Sequence, residues 1–164
     1  MLVRDARRED LPGILEIHND AILNSTAIWV ETPVDLDERR CWLEDRRRGG
    51  FPVLVADVGG RVAGYASYGA WRPKSGYRYT VENSVYVHPD HHRQGVATAL
   101  MTELIERARS GDVHVIVASI ESSNTTSIAL HERFGFRTVA QMSEVGMKFG
   151  RWLDMTYMQL TLPG

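Results

Sequence analysis

Residues 85–100 combine residue types that could bind a pyrophosphate group. The β-forming residues 85–87 precede the Pro-Asp pair at 89–90, which ends a strand, and apolar residues recur at helical spacing from Ala97 onward. A helix is therefore predicted to begin near Gly95, where unpaired backbone N–H groups and the helix dipole favour a bound anion. Taken alone, the segment is equally compatible with an ordinary strand-turn-helix connection that binds nothing.

Other nucleotide and metal sites find less support in the sequence. It has no Gly-Lys-Ser/Thr of a P-loop, and no Gly-x-Gly-x-x-Gly followed about twenty residues later by an acidic residue, as a dinucleotide fold requires. His88, His91 and His92 carry metal-binding side chains, but they lie in an irregular turn without another ligand group nearby. No metal site is predicted.

The composition favours a single globular domain that acts on small molecules. The 164 residues are 43% hydrophobic and 24% charged, so one core and one domain are expected over residues 1–164. With 19 basic and 21 acidic residues and a net charge of -2, the chain gives no electrostatic argument for nucleic acid or an anionic membrane. No apolar run reaches the roughly 20 residues that span a bilayer.

The N-terminus and the cysteine content predict a cytoplasmic protein. Charged residues occupy the N-terminal segment where a signal peptide would be apolar, and the single Cys41 excludes an internal disulfide. Cys41 lies beside Trp42 in a helical pattern, and we interpret it as a small core residue rather than a nucleophile.

The elements that must position these residues are predicted in the order β-α-α-β-β-β-α-β-α-β-β, an α/β fold with a mixed sheet. The basic residues 46–48 end the second helix and are interpreted as favourable charges at its C-terminus rather than as a nucleic-acid site. The predicted strands cover residues 2–5, 51–57, 61–71, 81–87, 113–120, 136–143 and 152–162, and the predicted helices cover 11–22, 36–48, about 95–108 and 124–133.

Two separated motifs resemble those of the GNAT N-acetyltransferase superfamily. Residues 92–97 (HRQGVA) are similar to the family's Gln/Arg-x-x-Gly-x-Gly/Ala, with His92 where Gln or Arg is usual. Residues 124–136 (NTTSIALHERFGF) are similar to its Asn-x-x-Ala/Ser-x-x-Leu-Tyr-x-x-x-Gly-Phe, with His131 at the tyrosine position. The resemblance covers essentially the whole chain and implies the GNAT acyl-CoA N-acyltransferase fold, a central mixed β-sheet flanked by helices.

The resemblance implies acetyl-CoA as the acetyl donor. The main chain of one strand would pair with the amides of pantetheine, and the turn before the third helix would bind the pyrophosphate. Asn124 would bond the pantetheine arm, cap its helix, or do both. The implied cofactor-binding residues are Val85, Tyr86, Val87, Arg93, Gln94, Gly95, Val96, Ala97, Thr98 and Asn124.

The implied chemistry is acyl transfer from a thioester to an amine. An amine protonated near neutral pH needs a base, and Glu82 is the candidate because an acidic side chain is out of character in its β-forming stretch. Without the resemblance, a solvent-facing strand glutamate would be the better interpretation. A main-chain N–H within residues 85–87 could stabilise the oxyanion. His131 or solvent could protonate the departing thiolate, and a packing role is the alternative for His131.

The loop at residues 71–79 and the strand after it resemble the phosphinothricin N-acetyltransferase branch, with its methionine sulfone and methionine sulfoximine acetyltransferases. Residues 17–20 and 26–33 are also similar to that branch. The resemblance implies a homodimer and a small amino-acid acceptor whose side chain ends in tetrahedral sulfur or phosphorus. Arg72 could bind a carboxylate, and an ordinary exposed hairpin loop is the alternative. The implied substrate-binding residues are Arg72, Pro73, Lys74, Glu82, Asn83 and Ser84.

Two alternatives stay open. An enzyme of this fold could acetylate a protein N-terminus, a polyamine or an aminoglycoside, although the cationic loop disfavours polycations. The chain could also be a noncatalytic acyl-CoA-binding sensor in which Glu82 serves only the structure.

Overall fold

A seven-stranded mixed sheet with helices on both faces forms the protein in a computed structural model that describes residues 1–163. The element order is the predicted one. None of the helices in this part of the chain is long and apolar enough to cross a membrane. The strands are β1 (Leu2–Asp5), β2 (Val53–Val58), β3 (Arg61–Ala70), β4 (Thr80–Val87), β5 (Val115–Glu121), β6 (Arg137–Lys148) and β7 (Arg151–Thr161), and the helices are α1 (Leu11–Asn24), α2 (Leu36–Arg48), α3 (Val96–Ser110) and α4 (Thr125–Arg133).

The strand order places one parallel pair in the middle of the sheet. Neighbouring strands follow the order β1-β2-β3-β4-β5-β7-β6, and every pair except β4–β5 is antiparallel. The parallel pair is short, because only residues 80–82 of β4 face residues 115–117 of β5. The two strands then diverge, which leaves a gap in an otherwise continuous sheet.

Two hydrophobic cores cover the two faces of the sheet. On one face, Leu100 and Leu104 of α3 pack with Val81 of β4 and with other apolar residues of the central strands. On the opposite face, α1 and α2 pack against a smaller core that includes Tyr65 of β3. Because successive side chains of a strand point to opposite faces, β4 presents alternate residues to α3 and to the α1–α2 pair.

The tip of the β6–β7 hairpin holds the connection between α1 and α2. The fully buried Lys148 Nζ donates hydrogen bonds to the carbonyl oxygens of Ile22, Ser25 and Ile28 at 2.7, 2.7 and 2.6 Å. These carbonyls lie at and beyond the end of α1, where a helix leaves acceptors without intrahelical partners. The hairpin therefore fixes the segment that brings Ala27 to the central cleft.

Two predictions about local structure are wrong. Strand β6 continues to Lys148 instead of ending at residue 143, because a register shift between Met142 and Gly146 accommodates Glu144 at φ 55° and pairing then resumes. Cys41 is exposed and is not a core residue. It lies on the outer side of α2, while Leu43 supplies the buried contact.

Candidate active site

The divergence of β4 and β5 opens a cleft through the sheet. Beyond residues 82 and 117, the facing edges of the two strands no longer pair. An extended ligand with amide groups could add to such a free edge as another strand does. The cleft is lined by Ala27, Asn83, Ser84, Val85, Tyr86, Ala118, Ser119, Ile120, Glu121, Asn124, Ser127 and His131.

The alternation of β4 gives the cleft two chemically different sides. Val85 packs into the α3 core, and Asn83 Nδ2 lies 3.5 Å from the sulfur of Met101 on α3. Tyr86 instead packs with the core of α1 and α2. Glu82 lies four residues before Tyr86 on the same strand, so its side chain points to the same α1–α2 side of the sheet.

Glu82 lies where the strands begin to diverge. Its neighbours in the sheet are Gly69 on β3 and Val117 on β5. The hydroxyl of Ser119 donates a hydrogen bond of 2.6 Å to Glu82 Oε1. Ser119 itself lines the cleft, so this bond holds the carboxylate close to the gap. A half-buried carboxylate with one hydroxyl donor can accept a proton from an amine that enters there.

The turn before α3 offers backbone N–H groups. Arg93 and Gly95 both have left-handed backbone angles, with φ of 61° and 77°. An added Cβ at Gly95 would meet no atom within 4 Å, so the backbone angle rather than crowding requires glycine there. Gly95 provides no side-chain cap, and the N–H groups of residues 96–98 therefore remain free for an anion.

Two side chains of this turn bond to the protein itself. His92 Nε2 lies 3.2 Å from the carbonyl oxygen of Val87, and Gln94 Nε2 donates to the carbonyl oxygen of Asp90 at 3.3 Å. These contacts fasten the turn to the end of β4. Since backbone N–H groups of the same turn are available to an anion, His92 can stand where Gln or Arg is usual.

Asn124 caps α4 and lines the cleft. Its Oδ1 accepts a hydrogen bond of 3.1 Å from the N–H of Ser127. The cap uses the side-chain oxygen, and the amide NH₂ group stays available to a ligand in the cleft. The two roles foreseen for this residue are thus geometrically compatible.

His131 lies in the cleft wall as a buried, neutral ring. Its Nδ1 lies 2.7 Å from the carbonyl oxygen of Ser127, to which only a protonated nitrogen can bond. Its Nε2 then carries no proton and accepts from Asn83 Nδ2 at 3.0 Å. Burial lowers the pKa of His131, which favours the neutral ring over the imidazolium. An edge-to-face contact with Phe136 gives the ring a packing role as well.

The loop before β4 is exposed, and its side chains contact one another. The Arg72 guanidinium stacks on Trp71, with 4.6 Å between its Cζ and the ring centroid. Trp71 meets Tyr77 edge to face at 5.3 Å. Pro73 and Lys74 are exposed beside them. Of the six residues implied for substrate binding, Asn83 and Ser84 line the cleft and Glu82 is bonded to its wall.

The α1–α2 side holds a polar cluster that the sequence analysis missed. His18 Nδ1 lies 2.9 Å from the Tyr65 hydroxyl and 3.4 Å from Arg39 Nη1. Burial, helped by the charge of Arg39, lowers the pKa of His18 to about 4. Burial also raises the pKa of Tyr86 to about 12. Both rings are therefore neutral at pH 7.

Helix α2 contributes two arginines to this cluster. Arg39, Trp42 and Arg46 recur at three and four residues, and the two guanidinium carbons lie 4.5 and 5.9 Å from the Trp42 ring centroid. The same spacing is visible in the sequence and marks one face of a helix. Residues 46–48 lie in the last turn of α2, as predicted, and Arg46 is in addition half-buried on the sheet side.

Comparisons with known proteins identify the family of this chain. Residues 14–136 match the model of the Acetyltransferase (GNAT) family. An L-methionine sulfoximine/L-methionine sulfone acetyltransferase of Pseudomonas aeruginosa is 58% identical over 161 residues, which cover 98% of this chain and 94% of that protein. A phosphinothricin N-acetyltransferase of Alcaligenes faecalis is 40% identical over 161 residues, 98% and 82% of the two chains. The solved structure of a GNAT superfamily phosphinothricin acetyltransferase from Sinorhizobium meliloti with acetyl-CoA superposes with a TM-score of 0.95 at 37% identity, covering 98% and 88%.

Proposed function

This chain belongs to the GNAT acetyltransferase family, and we propose that it moves the acetyl group of acetyl-CoA to the α-amine of a small amino-acid analogue: methionine sulfone, methionine sulfoximine or phosphinothricin. The proposal rests on the position of Glu82. Its carboxylate lies on the side of the sheet opposite α3, at the point where β4 and β5 separate. That placement lets a base on one side of the sheet meet a thioester threaded through the gap.

The chain has the groups that acetyl-CoA requires. The free edge of β4 at residues 85–87 can pair with the pantetheine amides, and the N–H groups of residues 93–98 surround a position for the pyrophosphate. The exposed Arg93 adds a positive charge beside that position. Bound there, acetyl-CoA supplies an activated acetyl group as a thioester.

Different residues then assist different steps of the direct attack of the amine on the thioester. Glu82 takes a proton from the α-ammonium group, and the free amine attacks the thioester carbon. A backbone N–H within residues 85–87 donates to the oxyanion that develops. Collapse of the tetrahedral intermediate breaks the C–S bond, and the nitrogen loses its second proton to solvent, which leaves the neutral N-acetyl amide and the CoA thiolate.

Solvent is our proposed proton source for the thiolate. His131 was the other candidate, but its Nε2 is an acceptor for Asn83 and its only N–H points to Ser127. A ring in that state has no proton to give toward the cleft. The acid role of His131 thus stays a prediction, and we favour its contribution to the cleft wall.

A panel of acceptors tests the proposed function. Acetyl-CoA consumption and the acetylated product should be measured with methionine sulfone, methionine sulfoximine, phosphinothricin, methionine and a polyamine. We expect turnover with one or more of the first three and none with the polyamine. Turnover confined to the polyamine would favour another acceptor class, and acetyl-CoA binding without any turnover would favour a sensor.

We also propose that the protein is a cytoplasmic homodimer. The edge strand β6 and the adjacent start of β7 expose large apolar side chains that a second copy could cover by pairing with the free edge. Sedimentation equilibrium should give twice the 18.5 kDa chain mass, and Met142→Glu should shift it to the monomer. The exposed residues are Val139, Met142, Val145, Met147, Phe149 and Trp152.

A further inference from the structure

Arg46 differs from the other arginine on the same face of α2. Arg39 is paired, because its Nε and Nη2 donate to the two carboxylate oxygens of Glu38 at 2.6 and 2.7 Å. Arg46 Nε is buried and has no hydrogen-bond acceptor among residues 1–163. A buried donor without a partner costs free energy, and ligand-binding sites are one of the places where proteins keep such groups.

The guanidinium of Arg46 lies directly over Gly69. An added Cβ at Gly69 would collide with Nη1 and Cζ of Arg46, so the glycine makes room for this head group. Gly69 is the cross-strand neighbour of Glu82. Side chains at directly opposed positions lie about 5 Å apart, which puts the cation beside the candidate base on the same side of the sheet.

The charges around Arg46 leave an anion-binding position open. Burial and the charge of Arg39 lower the pKa of Arg46, and the negative charge of Glu82 opposes that effect. Glu82 is at the same time held by Ser119. Guanidinium and carboxylate are thus near one another without being bonded to each other.

We propose that Arg46 binds the α-carboxylate of the acceptor amino acid while Glu82 faces its α-amine. The inference rests on the proposed function and specifies how that site recognises its substrate. An α-amino acid carries the two groups on one carbon atom, so a neighbouring cation and base match it. The planar fork of arginine also suits a carboxylate, which it can bind through two parallel hydrogen bonds.

This role differs from the one expected for Arg72. Arg72 is exposed and stacked on Trp71, outside the group of residues that lines the cleft. Arg46 extends from a helix packed on the sheet and is seated over a strand glycine. A rigidly seated cation fixes the orientation of a substrate better than one on an exposed loop.

The test compares methionine sulfone with its carboxamide, which keeps the amine and side chain but lacks the carboxylate charge. The value of kcat/KM should be measured for both acceptors with the wild type and with Arg46→Gln. We expect Arg46→Gln to reduce the preference for methionine sulfone over the carboxamide by about tenfold to a hundredfold, as for a lost charged hydrogen-bond pair. The different basicity of the two amines cancels, because both enzymes are tested on the same pair.

Three further variants keep the result interpretable. Arg46→Lys retains the charge and should keep part of the preference. Gly69→Ala should displace the guanidinium and reduce the preference although Arg46 is intact. Arg40→Gln alters an arginine of α2 that pairs with Glu44 and should leave the preference unchanged. Circular dichroism and acetyl-CoA binding by calorimetry identify any variant that fails to fold.

The outcomes separate this inference from the proposed function. If the wild type acetylates no amino-acid analogue, the proposed function fails. If the wild type is active and Arg46→Gln retains its preference within threefold, the inference about Arg46 is overturned. It is also overturned if Arg72→Gln, rather than Arg46→Gln, abolishes the preference.

Discussion

Replacing Glu82 by Gln is the most direct test of the mechanism. Glu82 Oε1 accepts its hydrogen bond from Ser119 at 2.6 Å, and a glutamine side chain can keep an oxygen at that place. The substitution therefore conserves size and the Ser119 contact and removes the basicity. A positioned general base contributes about 10²- to 10⁴-fold, so kcat should fall by that factor, which corresponds to about 3–5 kcal/mol in the activation barrier.

The assay must separate the proton transfer from binding. Release of the CoA thiol gives kcat as a function of pH, and titration calorimetry gives the dissociation constant of acetyl-CoA. We expect this dissociation constant to change less than twofold, because the proposed contacts of β4 with the cofactor are made by its main chain. The rate of Glu82→Gln should keep rising with pH as more of the acceptor amine loses its proton.

A matched control is Ser119→Ala, which removes the hydrogen bond but leaves the carboxylate. We expect it to lower kcat less than tenfold, since one neutral hydrogen bond is worth about 1 kcal/mol. The reasoning is refuted if Glu82→Gln keeps kcat within threefold of the wild type over the whole pH range. It is also refuted if Glu82→Gln and Ser119→Ala lower kcat by the same factor.

Three other perturbations test the parts of the structure that support the site. Gly95→Ala should raise the KM for acetyl-CoA about tenfold through about 1–2 kcal/mol of backbone strain, whereas Gly50→Ala, also at a left-handed position, should leave that KM unchanged in the same assay. Lys148→Met should lower the free energy of unfolding in urea by about 3–5 kcal/mol, because three carbonyl groups lose their hydrogen-bond donor. A loss below about 1 kcal/mol would contradict the stabilising role of these three hydrogen bonds. The pKa of His18 is lowered to about 4, so the native state binds fewer protons than the unfolded state between pH 6.5 and about 4, and stability should fall as the pH drops through that window. Urea unfolding at pH 7 and pH 5 should show a smaller loss for His18→Gln than for the wild type.

The fold was predictable because local signals and global topology agree. Alternation in the strands, helical periodicity and the breaks at Gly49-Gly50 and Gly59-Gly60 mark the elements up to β5. The end of β6 was not predictable in this way. Its register shift and the left-handed Glu144 interrupt the alternation, and its hydrogen bonds are specified by β7 rather than by its own residues.

The proposed cofactor site has a clearer local signature in the sequence than the proposed acceptor site. Backbone sites need a turn and a helix start, which leave a local signature around Gly95. The proposed recognition of the acceptor depends on side chains from distant elements, and nothing in the chain between Arg46 and Glu82 indicates that they meet. The i, i+3, i+7 spacing of Arg39, Trp42 and Arg46 was the one local signal, because arginine on the packing face of a helix is costly without a partner.

The alternation of β4 separates two tasks that a single strand performs. In the proposed binding mode, the donor contacts largely its main chain, which most substitutions leave in place, whereas the acceptor meets side chains of every second residue. Changes of the side chains at Ser84 and Tyr86, which line the cleft, should therefore be possible without loss of acetyl-CoA binding. Related enzymes could thus change their amine substrate by single substitutions and keep acetyl-CoA binding at every step. A mutant library restricted to these positions should yield variants with an altered acceptor preference and an unchanged KM for acetyl-CoA.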